Sequence, residues 1–196
     1  MAKIPYASVV GSLIYAQICM RPDISFAVGM LGRYQSNPGM SHWKAAKRVL
    51  RYLQGTKDYQ LTFRRTDNLE VTGYSDSDFA GCSDSRKSTS GYVFLLAGGA
   101  ISWKSMKQTI TASSTMEAEF VACFEATVHV FFSKNDRYSK GAKHMELKYL
   151  SVKKEVQKQT VSIEHISTTL MIADPLTKGL VAKQFKEHVD RMGLMM

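Results

Sequence analysis

Cysteine is scarce in this chain of 196 residues: there are three, Cys19, Cys82 and Cys123. They lie far apart, with neither metal-ligand spacing nor an even count, which excludes a zinc-finger arrangement and a disulfide framework. They read as reduced thiols of an intracellular protein, cytoplasmic or nuclear. Long apolar runs are missing too. The most apolar stretch near the start, residues 6–20, is broken by Gly11, Ser12 and Gln17. It is shorter than the roughly 20 residues needed to cross a bilayer. Only Lys3 supplies charge ahead of it and no small-residue cleavage site stands out, so the pattern of a secretory leader is not met. There are no internal repeats and no low-complexity tracts. Hydrophobic residues make up 44% of the chain, enough to bury a core, and no segment has the composition of a disordered tail.

The net charge is +9, and its distribution says more than its total. Residues 1–65 carry ten Lys and Arg against two acids, residues 66–130 four against eight, and residues 131–196 twelve against seven. An acidic middle therefore lies between two basic flanks. That suits a polyanion held by the flanks while carboxylates act locally, and it equally suits a solvated basic surface.

Residues 1–57 read as helical. Ile24, Ala27, Val28, Leu31 and Tyr34 follow a 3.6-residue period after Pro22 and Asp23. After the turn Asn37-Pro38-Gly39, Ser41 is placed to cap a helix with the apolar stripe Trp43, Ala46, Leu50 and Leu53. Its other face carries Lys44, Lys47, Arg48 and Arg51, which together with Lys104 are candidate phosphate contacts. From Tyr59 the period changes to two. Tyr59, Leu61 and Phe63 alternate with polar residues, and short strands are expected after them at Val71–Ser75, Gly91–Ala97 and Ala100–Trp103, with Gly98-Gly99 as a hairpin turn and a further strand end at Thr109–Ala112. A helix is expected at 115–130, a basic amphipathic one at 143–158, a last strand through Val161, Ile163 and His165, and helices at Asp174-Pro175 and 181–192. Strands followed by helices in this order indicate an α/β layered fold, with a helical segment 1–57 preceding a domain 58–196.

Three acidic motifs stand out, each with a structural explanation of its own. Asp76, in Tyr74-Ser75-Asp76-Ser77-Asp78-Phe79-Ala80-Gly81, sits where a strand end can aim a carboxylate, or where a polar turn needs Asx hydrogen bonds. The alternating Asp residues lack the glycine and closing Glu of a calcium loop. Glu117, in Ser113-Ser114-Thr115-Met116-Glu117-Ala118-Glu119-Phe120, has capping-box spacing from Ser114. Asp174, in Ala173-Asp174-Pro175-Leu176-Thr177-Lys178, is a complete N-cap with proline behind it. His165 is either a proton shuttle or an ordinary strand-end histidine.

Taken together, these stretches resemble the ribonuclease H domain of copia-type retrotransposons. The likeness runs through Gly73–Gly81, Asp84–Tyr92, Ile101–Gln108, Glu117–Phe120, Lys143–Leu147 and Ala173–Lys178. Residues 4–57, with Arg21-Pro22-Asp23-Ile24 and Lys44–Leu53, resemble the segment that connects a reverse transcriptase to that domain. The resemblance implies a ribonuclease H-like mixed sheet with flanking helices. It implies four acidic side chains holding two Mg2+ ions at the scissile phosphate, with the RNA strand of an RNA/DNA hybrid as substrate. Asp76 would then bridge the metals, Glu117 would bind one from its helix and Asp174 the other, while His165 would assist product release or proton transfer. In the intact family the partner is the rest of a reverse transcriptase polyprotein.

One expected piece is missing. The resemblance calls for a central strand after the Glu-bearing helix, ending in Cys-Asp-Asn, whose Asp is the remaining metal ligand. Here Glu125–Val130 runs directly into Phe131-Phe132-Ser133-Lys134-Asn135, so a segment of a few dozen residues is lost near 129–131. Asp136 is the one nearby acid that could replace the ligand. Each buried backbone group left unpaired costs about 1–3 kcal/mol. Summed over a strand, that rivals the roughly 5–15 kcal/mol stability of a whole domain. The expectation is a degenerate domain with little or no nuclease activity. The alternatives are a non-catalytic nucleic-acid-binding module and an interaction protein adopted by a host.

Overall fold

The structure is a computed structural model that describes residues 4–67, 69–82, 84–134 and 145–196. Asp136, Lys143 and His144 lie outside the described residues. The N-terminal segment forms three helices, α1 (Tyr6–Met20), α2 (Ser25–Gly32) and α3 (Met40–Gly55), with a 3₁₀ turn at Pro22–Ile24 between the first two. Tyr6, Val10, Leu13, Ile24, Val28, Leu31 and Ala46 form their common core. The Arg-Pro-Asp-Ile motif has a structural role in this packing. Arg21 donates to Asp23 twice (Nε 3.0 Å, Nη2 2.7 Å), and Nη2 also reaches Thr56 Oγ1 at 2.7 Å. Tyr52 donates to the same carboxylate at 2.7 Å, so one buried ion pair ties the start of α2 to the end of α3. Removing one partner of such a pair typically costs about 3–5 kcal/mol. At the start of α3 the cap is Gly39, not Ser41: its N–H donates to His42 Nδ1 at 2.8 Å, and the helix already begins at Met40.

A three-stranded antiparallel sheet follows, in the order β2 (Val71–Asp78), β3 (Thr89–Leu96), β4 (Gly99–Lys107). Asp76 lies within β2, in register with Gly91, and not at the strand end. The β3–β4 hairpin turns at Ala97 and Gly98, whose φ angles of 52° and 77° meet the need of a tight hairpin for two left-handed residues. The turn thus lies one residue earlier than Gly98-Gly99. A separate antiparallel pair joins β1 (Gln60–Leu61) to β5 (Leu194–Met195), returning the end of the chain to the start of this region.

Helices α4 (Thr115–Lys134), α5 (Met145–Gln157) and α6 (Ala182–Arg191) complete the elements, with 3₁₀ turns at Thr168–Leu170 and Asp174–Leu176. Gln108 fixes α4 to the sheet, donating to Ser90 Oγ and to the carbonyl of Ala118, both at 2.9 Å. A second core combines Val93, Leu95 and Ala100 with Ile172, Ala173, Leu176 and Met192, so the Asp174 turn packs directly under the sheet. Trp103 links the sheet to the helical segment through Nε1–H donated to the Gln17 carbonyl at 3.0 Å.

The architecture is therefore α/β, but three expectations fail. The sheet is antiparallel among the described residues, not mixed. Residues 109–112 form no strand. Residues 161–167 form none either, and Ile163 is 51% exposed. The reason is common to the first and last points. A mixed sheet needs a strand that returns after a crossover helix, and no strand after α4 reaches the sheet among the described residues. The 161–165 segment has the right alternation but no neighbour to pair with among the described residues. Strand β2 likewise pairs on one side only, with β3. No helix among the described residues is long and apolar enough to cross a membrane.

Candidate acid centre and basic face

Asp76 is carried into the interior by the pleat of β2 and is 6% exposed. The chain returns to it through the Asp174 turn. There Thr177 donates its hydroxyl to Asp76 Oδ2. Lys178 places Nζ 3.4 Å from Asp76 Oδ2 and 3.1 Å from Asp174 Oδ1. Asp174 is 3% exposed, and its Oδ1 has this ion pair but no aligned hydrogen bond. Two buried carboxylates thus share one ammonium, which the Asp174 turn itself supplies four residues on.

The surroundings push these groups in consistent directions. Burial raises the Asp76 carboxyl above its ordinary range; the Thr177 hydrogen bond and the Lys178 charge oppose this, and Asp174 adds to it. Asp78 is raised for the same reason, burial, with Lys178 opposing and Asp76 reinforcing. Burial would lower Lys178, but the charges of Asp76 and Asp174 outweigh it and hold the ammonium above its usual value.

Glu117 and His165 are not part of this cluster. The Glu117 carboxylate closes the start of α4, accepting from Ser113 N–H at 2.6 Å and Ser113 Oγ at 2.7 Å, while its own N–H donates to Ser114 Oγ at 3.2 Å. Those two Ser113 bonds lower its proton affinity, as expected of a capping carboxylate. His165 is exposed on the unpaired 161–167 stretch. The acid of α4 that senses the centre is Glu119. Although the residue as a whole is exposed, partial desolvation of its carboxyl raises its proton affinity, and the Asp76 charge raises it further while Ser77 opposes. Sequence reasoning quoted Glu119 and Lys178 within their motifs but singled out neither as a site residue. The Asp174–Lys178 spacing was the available signal, since residues four apart on a helical turn face each other.

A pair of Mg2+ ions would need several convergent carboxylates. Among the described residues no three His, Cys, Asp or Glu converge as a metal site requires. Asp76 and Asp174 do converge, but on an ammonium. The donor set among the described residues does not fit a two-ion centre.

The four cations on α3 remain together. Lys44, Lys47, Arg48 and Arg51, with Leu50, line an open depression of about 410 Å3. Lys47 also lies over the Trp43 ring, 5.9 Å from its centroid. Lys104 is exposed on β4 and is not part of this depression. A second cleft, of about 290 Å3, runs between the helical segment and the Asp174 turn, lined among others by Phe26, Arg48, Tyr52, Lys178 and Phe185. Arg48 borders both, so the basic face and the acid centre are neighbours.

Compared with known proteins, the chain matches no family model and no solved structure. It is 38% identical over 221 aligned positions to the Retrovirus-related Pol polyprotein from transposon TNT 1-94 of Nicotiana tabacum, covering 99% of this chain and 17% of that protein. It is 32% identical over 218 positions to the Retrovirus-related Pol polyprotein from transposon RE2 of Arabidopsis thaliana, covering 97% and 15% respectively. It is also 47% identical over 142 positions to the Secreted RxLR effector protein 161 of Plasmopara viticola, covering 72% of this chain and all of that one. The chain spans about a sixth of the length of the two Pol polyproteins. The tobacco alignment has 221 positions and this chain only 196 residues, so at least 25 of those positions have no counterpart here.

Proposed function

Because the chain belongs to the Pol polyprotein family of copia-type retrotransposons, we propose that it is a ribonuclease H-like domain of that lineage, preceded by its connecting helices, which no longer cleaves RNA/DNA hybrids. The observation that carries this reading is the acid centre. The chain brings Asp76 and Asp174 together from residues 98 positions apart and then neutralises them with Lys178, without a third carboxylate converging among the described residues. The lineage favours Mg2+ as the ion the ancestral centre held. The donor set here is half of one, and no hydrolytic step is assigned to it. The unmatched positions of the tobacco alignment and, among the described residues, the one-sided pairing of β2 and the unpaired 161–167 stretch support the loss of a strand; the sequence pattern points to 129–131 as the junction.

A labelled RNA/DNA hybrid incubated with the protein and Mg2+ tests this. The expected result is no product above a protein-free control. Cleavage that Asp76→Asn abolishes would overturn it.

A second reading, a nucleic-acid-binding module, is favoured by the four-cation depression on α3. In it, backbone phosphates lie along Lys44, Lys47, Arg48 and Arg51, and Arg48 brings the strand to the mouth of the cleft beside Lys178. Such contacts carry no sequence preference and weaken steeply with salt. The two readings are compatible, since a domain that has lost cleavage can retain its grip on the hybrid.

A further inference from the structure

The place where a cation would bridge Asp76 and Asp174 already contains one. The Lys178 ammonium stands 3.4 Å from an oxygen of the first and 3.1 Å from an oxygen of the second. Their side chains are 9% and 4% exposed, whereas that of Lys178 is 35% exposed, so the lysine enters from the solvent side and the carboxylates face inward. Two buried carboxylates facing each other without a counter-ion would be strongly disfavoured. A divalent ion would sit about 2.0–2.6 Å from the same oxygens, in the space that Nζ holds. Ammonium and metal therefore exclude one another.

We infer that Lys178 is the resident cation of the Asp76–Asp174 pair: it holds the turn to the sheet in place of a metal, and a divalent ion gains the site only when that ammonium is withdrawn. This assignment rests on the two ion pairs and on the burial of the acids. It does not depend on whether the chain cleaves a hybrid, so failure of either claim is visible separately.

The test is Mn2+ binding to the full chain, followed by paramagnetic resonance of the free ion, together with thermal melting in chelator and in Mn2+. The wild-type chain is expected to show no saturable Mn2+ site that depends on Asp76, and the same melting temperature in both conditions. Lys178→Met is expected to melt lower in chelator, to regain stability with Mn2+, and to bind Mn2+ at least about tenfold more tightly than wild type, a change of about 1.4 kcal/mol or more. Adding Asp76→Asn to Lys178→Met should abolish that gain. If Lys178→Met does not fold in chelator, refolding in Mn2+ becomes the readout, and rescue supports the inference. Saturable wild-type binding that Asp76→Asn removes would overturn it. So would a Lys178→Met chain that neither binds Mn2+ nor is rescued by it.

Discussion

At Gly91 the sheet and the Asp174 turn come into contact: a Cβ placed there would lie 2.7 Å from Leu176 Cβ and 2.8 Å from Thr177 Cγ2. Gly91 is also the register partner of Asp76, so the missing side chain is what lets the turn reach the buried acid. Gly91→Ala should lower stability by about 1–3 kcal/mol, as overpacking in a filled site does, measured by denaturant unfolding; an unchanged midpoint would contradict this packing. His188 offers a pH-dependent check. It is 1% exposed, neither ring nitrogen has a hydrogen-bond partner among the described residues, and burial holds it below the ordinary histidine value. Below about pH 6.5 the unfolded chain takes up a proton that the folded chain refuses, so stability falls as pH drops from there toward the folded value. His188→Leu should remove that part of the pH slope, and an identical slope in both proteins would contradict the assignment. Also at this scale, Asp76 and Asp174 are legible from sequence because each stands in an extended motif. Glu119 is not, because Glu117 two residues earlier has the better local pattern. That pattern turned out to mean a helix cap.

Hairpin strands and amphipathic helices are the elements that sequence periodicity describes well, because their partners are close by in the chain. Strands β2 to β4 and the amphipathic helix α3 fall near their expected places for that reason. The segment 161–165 shows the limit of such reasoning. Its alternation of Val161, Ile163 and His165 is strand-like, but a strand requires a neighbour, and local sequence does not say whether the neighbour exists. Among the described residues, no amide of 161–166 bonds to backbone. Amide hydrogen exchange should therefore be fast across 161–166 and slow across residues 90–95 of β3, which pairs on both sides. Protection of 161–166 equal to that of β3 would show that the segment is paired after all.

For the molecule as a whole, charge and length carry the argument. The basic segment 1–65 places four of its cations in one depression on α3. Replacing Lys44, Lys47, Arg48 and Arg51 by Glu should weaken hybrid binding and flatten its dependence on salt, as removal of about four phosphate contacts would. Unchanged binding would move the polyanion site elsewhere. The length deficit bears on the central claim, that the chain is a ribonuclease H-like domain disabled by the loss of one strand with its carboxylate. The most direct measurement is to restore the lost length. The corresponding segment of the tobacco TNT 1-94 polyprotein would be inserted between His129 and Phe131, and Mg2+-dependent hybrid cleavage compared with that of the parent chain. Cleavage by the restored chain, abolished by Asp76→Asn, and none by the parent is the expected result. Equal cleavage by parent and restored chain would contradict it.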